Sequence, residues 1–390
     1  MSELESFTMQ WNYPASIRVG VGRIKELPDV CLELGIKAPL LVTDPGLKAL
    51  PMLQNALISC HESGLECHLF SDIKGNPTGE NVEAGVAAFK QGNHDGVIAI
   101  GGGSALDAAK AIALMVGQDR PIWDFEDVGD NWKRVKREGV FPVIAVPTTA
   151  GTGSEVGRAS VITHAQKHVK KIIFHPDMMP QVIILDPELT TGLPGNITAA
   201  TGLDALSHNL EAYCSPFFHP MAEGIAVEGI RLVKENLPLA YVEGSNLVAR
   251  THMLVASTMG ATAFQKGLGA MHALAHPLGA LYDVHHGLLN AVLMPYVLKM
   301  NQSVIEQRIS RLSLYLELPG QGFGAFFDWV IQLRSDLGIP HTLSELGIGE
   351  NDAAKVGLMA FEDPSAAGNP LPLSVEQYQS LFCSAVRGDL

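Results

Sequence analysis

The stretch GVIAIGGGSALDAAKAIALMV, residues 96–116, decides how the N-terminal half of this chain is read. Gly96–Ile100 is a short apolar run, as expected of a strand covered on both faces in a parallel sheet. Ala105–Val116 carries a helical pattern, and Gly101, Gly102, Gly103 and Ser104 join the two. A phosphate can approach a glycine backbone closely there, with the helix's first amides and its dipole pointing at it. Ser104 and Asp107 also fit a capping box, which any helix can use, but a cap does not require three glycines in a row. The GxGxxG spacing of the ordinary dinucleotide fingerprint is absent.

Working outward, Pro39–Asp44, Cys67–Phe70, Val143–Val146 and Val182–Leu185 read as further strands. Helical patterns over Pro51–Ser63 and Thr78–Gln91 lie between some of them. This alternation predicts a Rossmann-like, doubly wound α/β domain for dinucleotide binding. Thr148-Thr149-Ala150-Gly151-Thr152-Gly153-Ser154-Glu155 follows the Val143–Val146 strand as the glycine loop follows its own. Ligands bind beyond the carboxyl ends of such strands, so both loops are candidates, although a hydroxyl-rich turn is the plainer reading of the second. Asp44 ends its strand where a carboxylate can accept bonds from ribose hydroxyls and repel a 2′-phosphate, which favours NAD over NADP.

After about Pro194 the pattern changes to long helices: Ala199–Tyr213, Met221–Asn236, Val248–Ala263, Leu268–Leu281 and Gly287–Met300. This predicts an α/β cofactor domain over residues 1–193 and an all-helical domain over 194–390. A formal net charge of −14 without a basic stripe argues against a nucleic-acid partner. Five cysteines without a CxxC pair fit a reducing compartment. The first residues, MSELESFTMQWNYP, lack the basic start and apolar run of a signal peptide, and no stretch is long enough for a membrane span. A cytoplasmic enzyme is expected.

Four of the fourteen histidines fall in MHALAHPLGALYDVHHG, residues 271–287. His272 and His276 are four apart, as are Asp204 and His208 in TGLDALSHNLEAY, so each pair shares a helix face. Two helices can present two ligands each to one metal ion. A lone histidine is more often a hydrogen-bonded core residue, but two pairs in apolar helices favour a metal. Spacing alone does not say which of these groups coordinate.

GGGSALDAAK, PTTAGTGSE, TGLDALSHNLEAY and GLGAMHALAHPLGALYDVHHGLLNAV together resemble the iron-containing, group III alcohol dehydrogenases, in order and over nearly the whole chain. The resemblance implies a metal-dependent, NAD(P)-linked oxidoreductase, with Fe2+ (or Zn2+) held by Asp204, His208, His272 and His286. His276 falls on the family's histidine near nicotinamide and substrate, and His285 is a neighbour of the site. Asp44, Asn76, Gly102, Gly103, Ser104, Asp107, Thr148, Thr149, Thr152 and Lys171 match cofactor-contacting positions. A homodimer or larger assembly is implied, with a small alcohol or aldehyde as substrate.

One departure stands out. Where many relatives read Phe-Ser-Asn-Ala, this chain has Phe264-Gln265-Lys266, a cation close to a positive metal site. That stretch, Arg158 and the closing NPLPLS segment look most like 4-hydroxybutyrate dehydrogenases within the family. Lys266, with Arg158, is therefore expected to meet the carboxylate of a short ω-hydroxy acid, unless the lysine merely snorkels to solvent. Rival readings are a general short-chain alcohol dehydrogenase, a dehydroquinate-synthase-like lyase, and a non-catalytic sensor.

Overall fold

A computed structural model describes residues 15–167 and 169–390; the signal-peptide reading of the first residues lies outside them. The described chain forms two compact units. One comprises residues 15–149 with Gly153–Gly192, the other Ala150–Thr152 with Leu193–Leu390.

The first unit runs β1 (Ser16–Val19), α1 (Leu27–Glu33), β2 (Pro39–Val42), α2 (Pro51–Glu62), β3 (His68–Phe70), α3 (Gly79–Gln91), β4 (Gly96–Gly101), α4 (Gly103–Met115), β5 (Val143–Pro147), β6 (Ala159–His164), β7 (Val169–Phe174) and β8 (Val182–Leu185). Six strands form a wholly parallel sheet in the order β1-β8-β5-β4-β2-β3. All residues of β2, β4, β5 and β8 are buried, which is why they read as unbroken apolar runs. Burying a Leu41 or an Ile98 in this way contributes about 1.5–3 kcal/mol relative to leaving it exposed. The chain moves outward from β2 to β3, then returns to place β4 on the other side of β2. That reversal opens a crevice beyond the carboxyl ends of β2 and β4, where Asp44 and the glycine loop lie.

The β6–β7 hairpin was not legible beforehand. Its strands are half-buried and carry Lys170 and Lys171, so they show no apolar run. The buried Lys110 of α4 reaches it, donating to the carbonyls of Ser154 (2.9 Å), Gly157 (3.4 Å) and Ala159.

The second unit is helical: α5 (Gly195–Cys214), α6 (Pro220–Val242), α7 (Leu247–Ala263), α8 (Ala270–Tyr282), α9 (His286–Tyr315), α10 (Gly322–Asp336), α11 (Ala353–Glu362) and α12 (Val375–Arg387). From Thr198 to Cys214 every residue of α5 is buried, so polar side chains there must find partners inside the protein. Among the described residues no helix is long and apolar enough to cross a membrane.

Candidate active site

At the crevice of the first unit the loop geometry depends on glycine. Gly101 has φ +152°, and a Cβ there would lie 2.7 Å from Ala105 Cβ and 3.5 Å from Asp44 Oδ2. Gly102 is the N-cap of α4, and no side chain caps the amides that follow. The capping box expected of Ser104 and Asp107 does not form. Tertiary partners take both side chains instead: the Ser104 hydroxyl donates to the Gly75 carbonyl, and Asp107 accepts from Ser154 Oγ and, at 2.8 Å, from the Val161 amide. Lys110 lies 3.2 Å from the same carboxylate. Asp107 therefore ties the hydroxyl-rich loop and the hairpin to α4.

Thr148 donates its amide to the Gly101 carbonyl at 2.9 Å, and Thr149 lies against Gly102, so the two loops are adjacent. Asp44 accepts the amides of Gly46 and Leu47 at 2.9 and 3.2 Å through Oδ1. Asn76 sits in the turn just before α3. Lys171 pairs with Glu126. Arg158 is half-buried over the Phe174 ring, 5.5 Å from its centroid; burial lowers its pKa against the pull of Asp127. Thr152 belongs with the helical unit.

In that unit α5, α8 and the first residue of α9 bring Asp204, His208, His272 and His286 together, one ligand-type atom from each lying within 4.8 Å of the others. The close packing of α9 on α5 requires Gly287, where a Cβ would stand 2.4 Å from the Ala200 carbonyl oxygen and 2.9 Å from Asp204 Cβ. His208 Nδ1 donates to the Gly151 carbonyl at 3.2 Å, which leaves the lone pair on Nε2. Complete burial lowers the His208 pKa to about 4, so the ring stays neutral and able to coordinate. His272 Nδ1 donates to Glu211 at 2.6 Å, likewise freeing Nε2. Burial disfavours its charged form, but the Glu211, Asp204 and Asp363 carboxylates together outweigh that and raise its pKa.

The fit to a cation is visible in Asn290. Its Nδ2 meets Asp204 Oδ1 at 2.9 Å, His272 Nε2 at 3.1 Å and His286 Nε2 at 3.2 Å. An amide nitrogen only donates and has two hydrogens, so with the His286 tautomer that leaves Nε2 unprotonated, three lone pairs converge on two hydrogens. A divalent ion would meet that excess with the N/O ligand types suited to iron or zinc.

His276 stacks on His286, centroids 5.3 Å apart, and its Nδ1 donates to Asp363 at 2.8 Å. His285 caps α9, its ring accepting the Leu288 amide at 3.4 Å. Glu211, Asn290 and Asp363 were not anticipated. Glu211 had a signal, since residues 204, 208 and 211 recur at i, i+4 and i+7 on one helix face. Asp363 is separated by 87 residues from its partner and had none.

Lys266, expected to meet a substrate carboxylate, already has protein partners. Its side chain is fully buried; the ammonium lies 2.8 Å from Glu223 Oε1 and donates to the Tyr213 carbonyl at 3.1 Å. Glu223 also pairs with Arg308 at 3.0 Å. The lysine's charge is thus met by Glu223 in the first turn of α6 and by the Tyr213 carbonyl at the end of α5, and a snorkel to solvent is not needed to explain it.

Comparison with known proteins bears on this arrangement. Residues 14–187 match the family described as iron-containing alcohol dehydrogenase, and residues 198–386 match the C-terminal part of the Fe-containing alcohol dehydrogenase family. The chain is 37% identical to a 4-hydroxybutyrate dehydrogenase of Cupriavidus necator, over 95% of this chain and 98% of the relative. Its fold is similar to that of a 1,3-propanediol oxidoreductase (TM-score 0.90, 34% identity, 97% of this chain and 100% of the other). It is also similar to that of a sulfoacetaldehyde reductase from Bifidobacterium kashiwanohense in complex with NAD+ (TM-score 0.88, 29% identity, 98% and 100%). With both halves matched and almost no residue of either chain left over, the protein belongs to the iron-containing alcohol dehydrogenase family of oxidoreductases.

Proposed function

We propose that the chain interconverts a short primary alcohol and its aldehyde with NAD, using a divalent cation held by Asp204, His208, His272 and His286. The observation that carries this reading is the convergence of those four side chains, one ligand-type atom from each within 4.8 Å of the others, with three of them crowded on the amide nitrogen of Asn290. Fe2+ is the ion of choice, with Zn2+ able to compete at such an N/O site. A bound cation would supply Lewis acidity that makes the alcohol easier to deprotonate, and bound NAD would supply the hydride acceptor.

The uncapped amides after Gly102, with Gly103, Ser104, Thr148 and Thr149, would cradle the cofactor's phosphates, and Asn76 and Lys171 are further proposed contacts. Asp107 serves by holding the loop. Asp44 would accept from the adenosine ribose and disfavour NADP. The Asp363 bond fixes His276 with its proton on Nδ1, so Nε2 is free to take the alcohol proton.

For substrate we favour a short ω-hydroxy acid such as 4-hydroxybutyrate, supported by the Cupriavidus necator relative. With Lys266 committed to Glu223, Arg158 is the remaining candidate for the carboxylate. The same commitment favours a second reading, a general short-chain alcohol dehydrogenase. The two separate when protein loaded anaerobically with Fe2+ is assayed for NADH release from 4-hydroxybutyrate, 1,3-propanediol and 1-butanol. The expected result is activity lost to a chelator, restored by metal, and highest in kcat/KM for the acid. Equal kcat/KM for acid and neutral alcohols supports the second reading; no NADH from any alcohol defeats both.

A further inference from the structure

Behind His272 lies a carboxylate that the proposed chemistry does not use. Glu211 sits on α5 at 5% exposure. Its Oε2 accepts the Gly269 amide at 2.8 Å and His272 Nδ1–H at 2.6 Å, and its Oε1 accepts the Met271 amide at 2.7 Å. Among the described residues its one ion-pair partner is His272, and no lysine or arginine joins it.

We propose that Glu211 is a positioning residue of the metal centre, resting on the cation site assigned above. It keeps the His272 proton on Nδ1, so that the Nε2 lone pair faces Asp204 and His286. It also anchors the first turn of α8, from which His272 projects. A carboxylate behind a ligating imidazole orients the ring and makes it a stronger donor to the metal.

Asn369 allows these two duties to be separated. Its Oδ1 accepts the Ala270 amide at 3.2 Å and the Asn301 side-chain amide at 2.9 Å, so it anchors the same turn and makes no hydrogen bond to His272. The test is Zn2+ affinity of the full-length protein, measured by competition with a chromophoric chelator, for the unaltered chain, Glu211→Gln and Asn369→Ala. Glu211→Gln is expected to weaken binding by about 10–100-fold, the usual cost of losing such a partner. Asn369→Ala should stay within about threefold, because the bonds it removes, to Ala270, Asn301 and Leu371, are all neutral and none reaches His272. Loading with Co2+ supplies a spectroscopic readout: its ligand-field absorption should shift in Glu211→Gln and not in Asn369→Ala. If Glu211→Gln does not fold, Glu211→Asp, which keeps the charge but shortens its reach, is judged by the same measures. Unchanged affinity in the Glu211 variant, or equal weakening in both variants, overturns the proposal. An unaltered chain that takes up no Zn2+ overturns the metal site itself, and Glu211's role with it.

Discussion

The crevice beyond β2 and β4 and the histidine cluster of α5, α8 and α9 solve different problems with different materials. In the crevice the groups proposed to meet a ligand are mainly backbone, the uncapped amides at the start of α4 and a loop that Gly101 shapes. Asp107, Ser154 and Lys110 are spent on one another and on the β6–β7 hairpin. In the cluster the groups aimed at a ligand are side chains, and a second layer of side chains sets their orientation: Glu211 behind His272, and Asp363 behind His276. A backbone site spreads its binding over many weak donors, whereas a side-chain site concentrates it in four. Single substitutions should therefore be graded in the first and close to all-or-none in the second.

The largest effect expected is at the cluster. His272→Ala removes one of four ligands and should lower Zn2+ affinity and turnover by orders of magnitude, while NAD binding, read by cofactor fluorescence titration, is retained. If metal content and rate both survive, the contrast between the two regions collapses and the ligand set is wrong. A middle-sized effect is expected in the crevice. Asp44→Gly should raise kcat/KM with NADP relative to NAD by roughly tenfold, since charge repulsion at a ribose edge contributes on the order of 1–2 kcal/mol. A preference for NADP in the unaltered enzyme would remove Asp44 from the cofactor site.

The smallest catalytic effect is expected at Lys266, which lies in the helical unit but belongs to neither region. Lys266→Met should lower stability by about 1–3 kcal/mol, read as a fall in Tm, because Glu223 keeps Arg308 as a partner. Its kcat/KM should change equally for succinate semialdehyde and for an uncharged aldehyde of similar length. A loss of about tenfold or more confined to the acid, the size of one charge-assisted bond, would return Lys266 to the substrate site and favour the ω-hydroxy acid reading.

Local pattern was enough where the physics is local. Apolar runs became β2, β4, β5 and β8 because strands covered on both faces have no polar side to show. The i, i+4 spacing put Asp204 and His208 on one face of α5 because helix geometry is fixed by the backbone. Pattern failed at Ser104 and Asp107, where a motif sufficient for a cap lost both side chains to partners 29 and 47 residues away. At Lys266 pattern could not show the Glu223 pairing, since a cation's neighbour in sequence is not its neighbour in space.

What this amino-acid sequence determined by itself was the α/β-then-α order, the glycine loop and the stock of metal-type side chains, since periodicity and residue chemistry are written along the chain. Only the tertiary structure decided which carboxylate stands behind which histidine, and that Lys266 is already paired. A charged or ring side chain inside a protein must be satisfied by whatever packing brings within about 3 Å, and that distance bears no relation to separation along the chain.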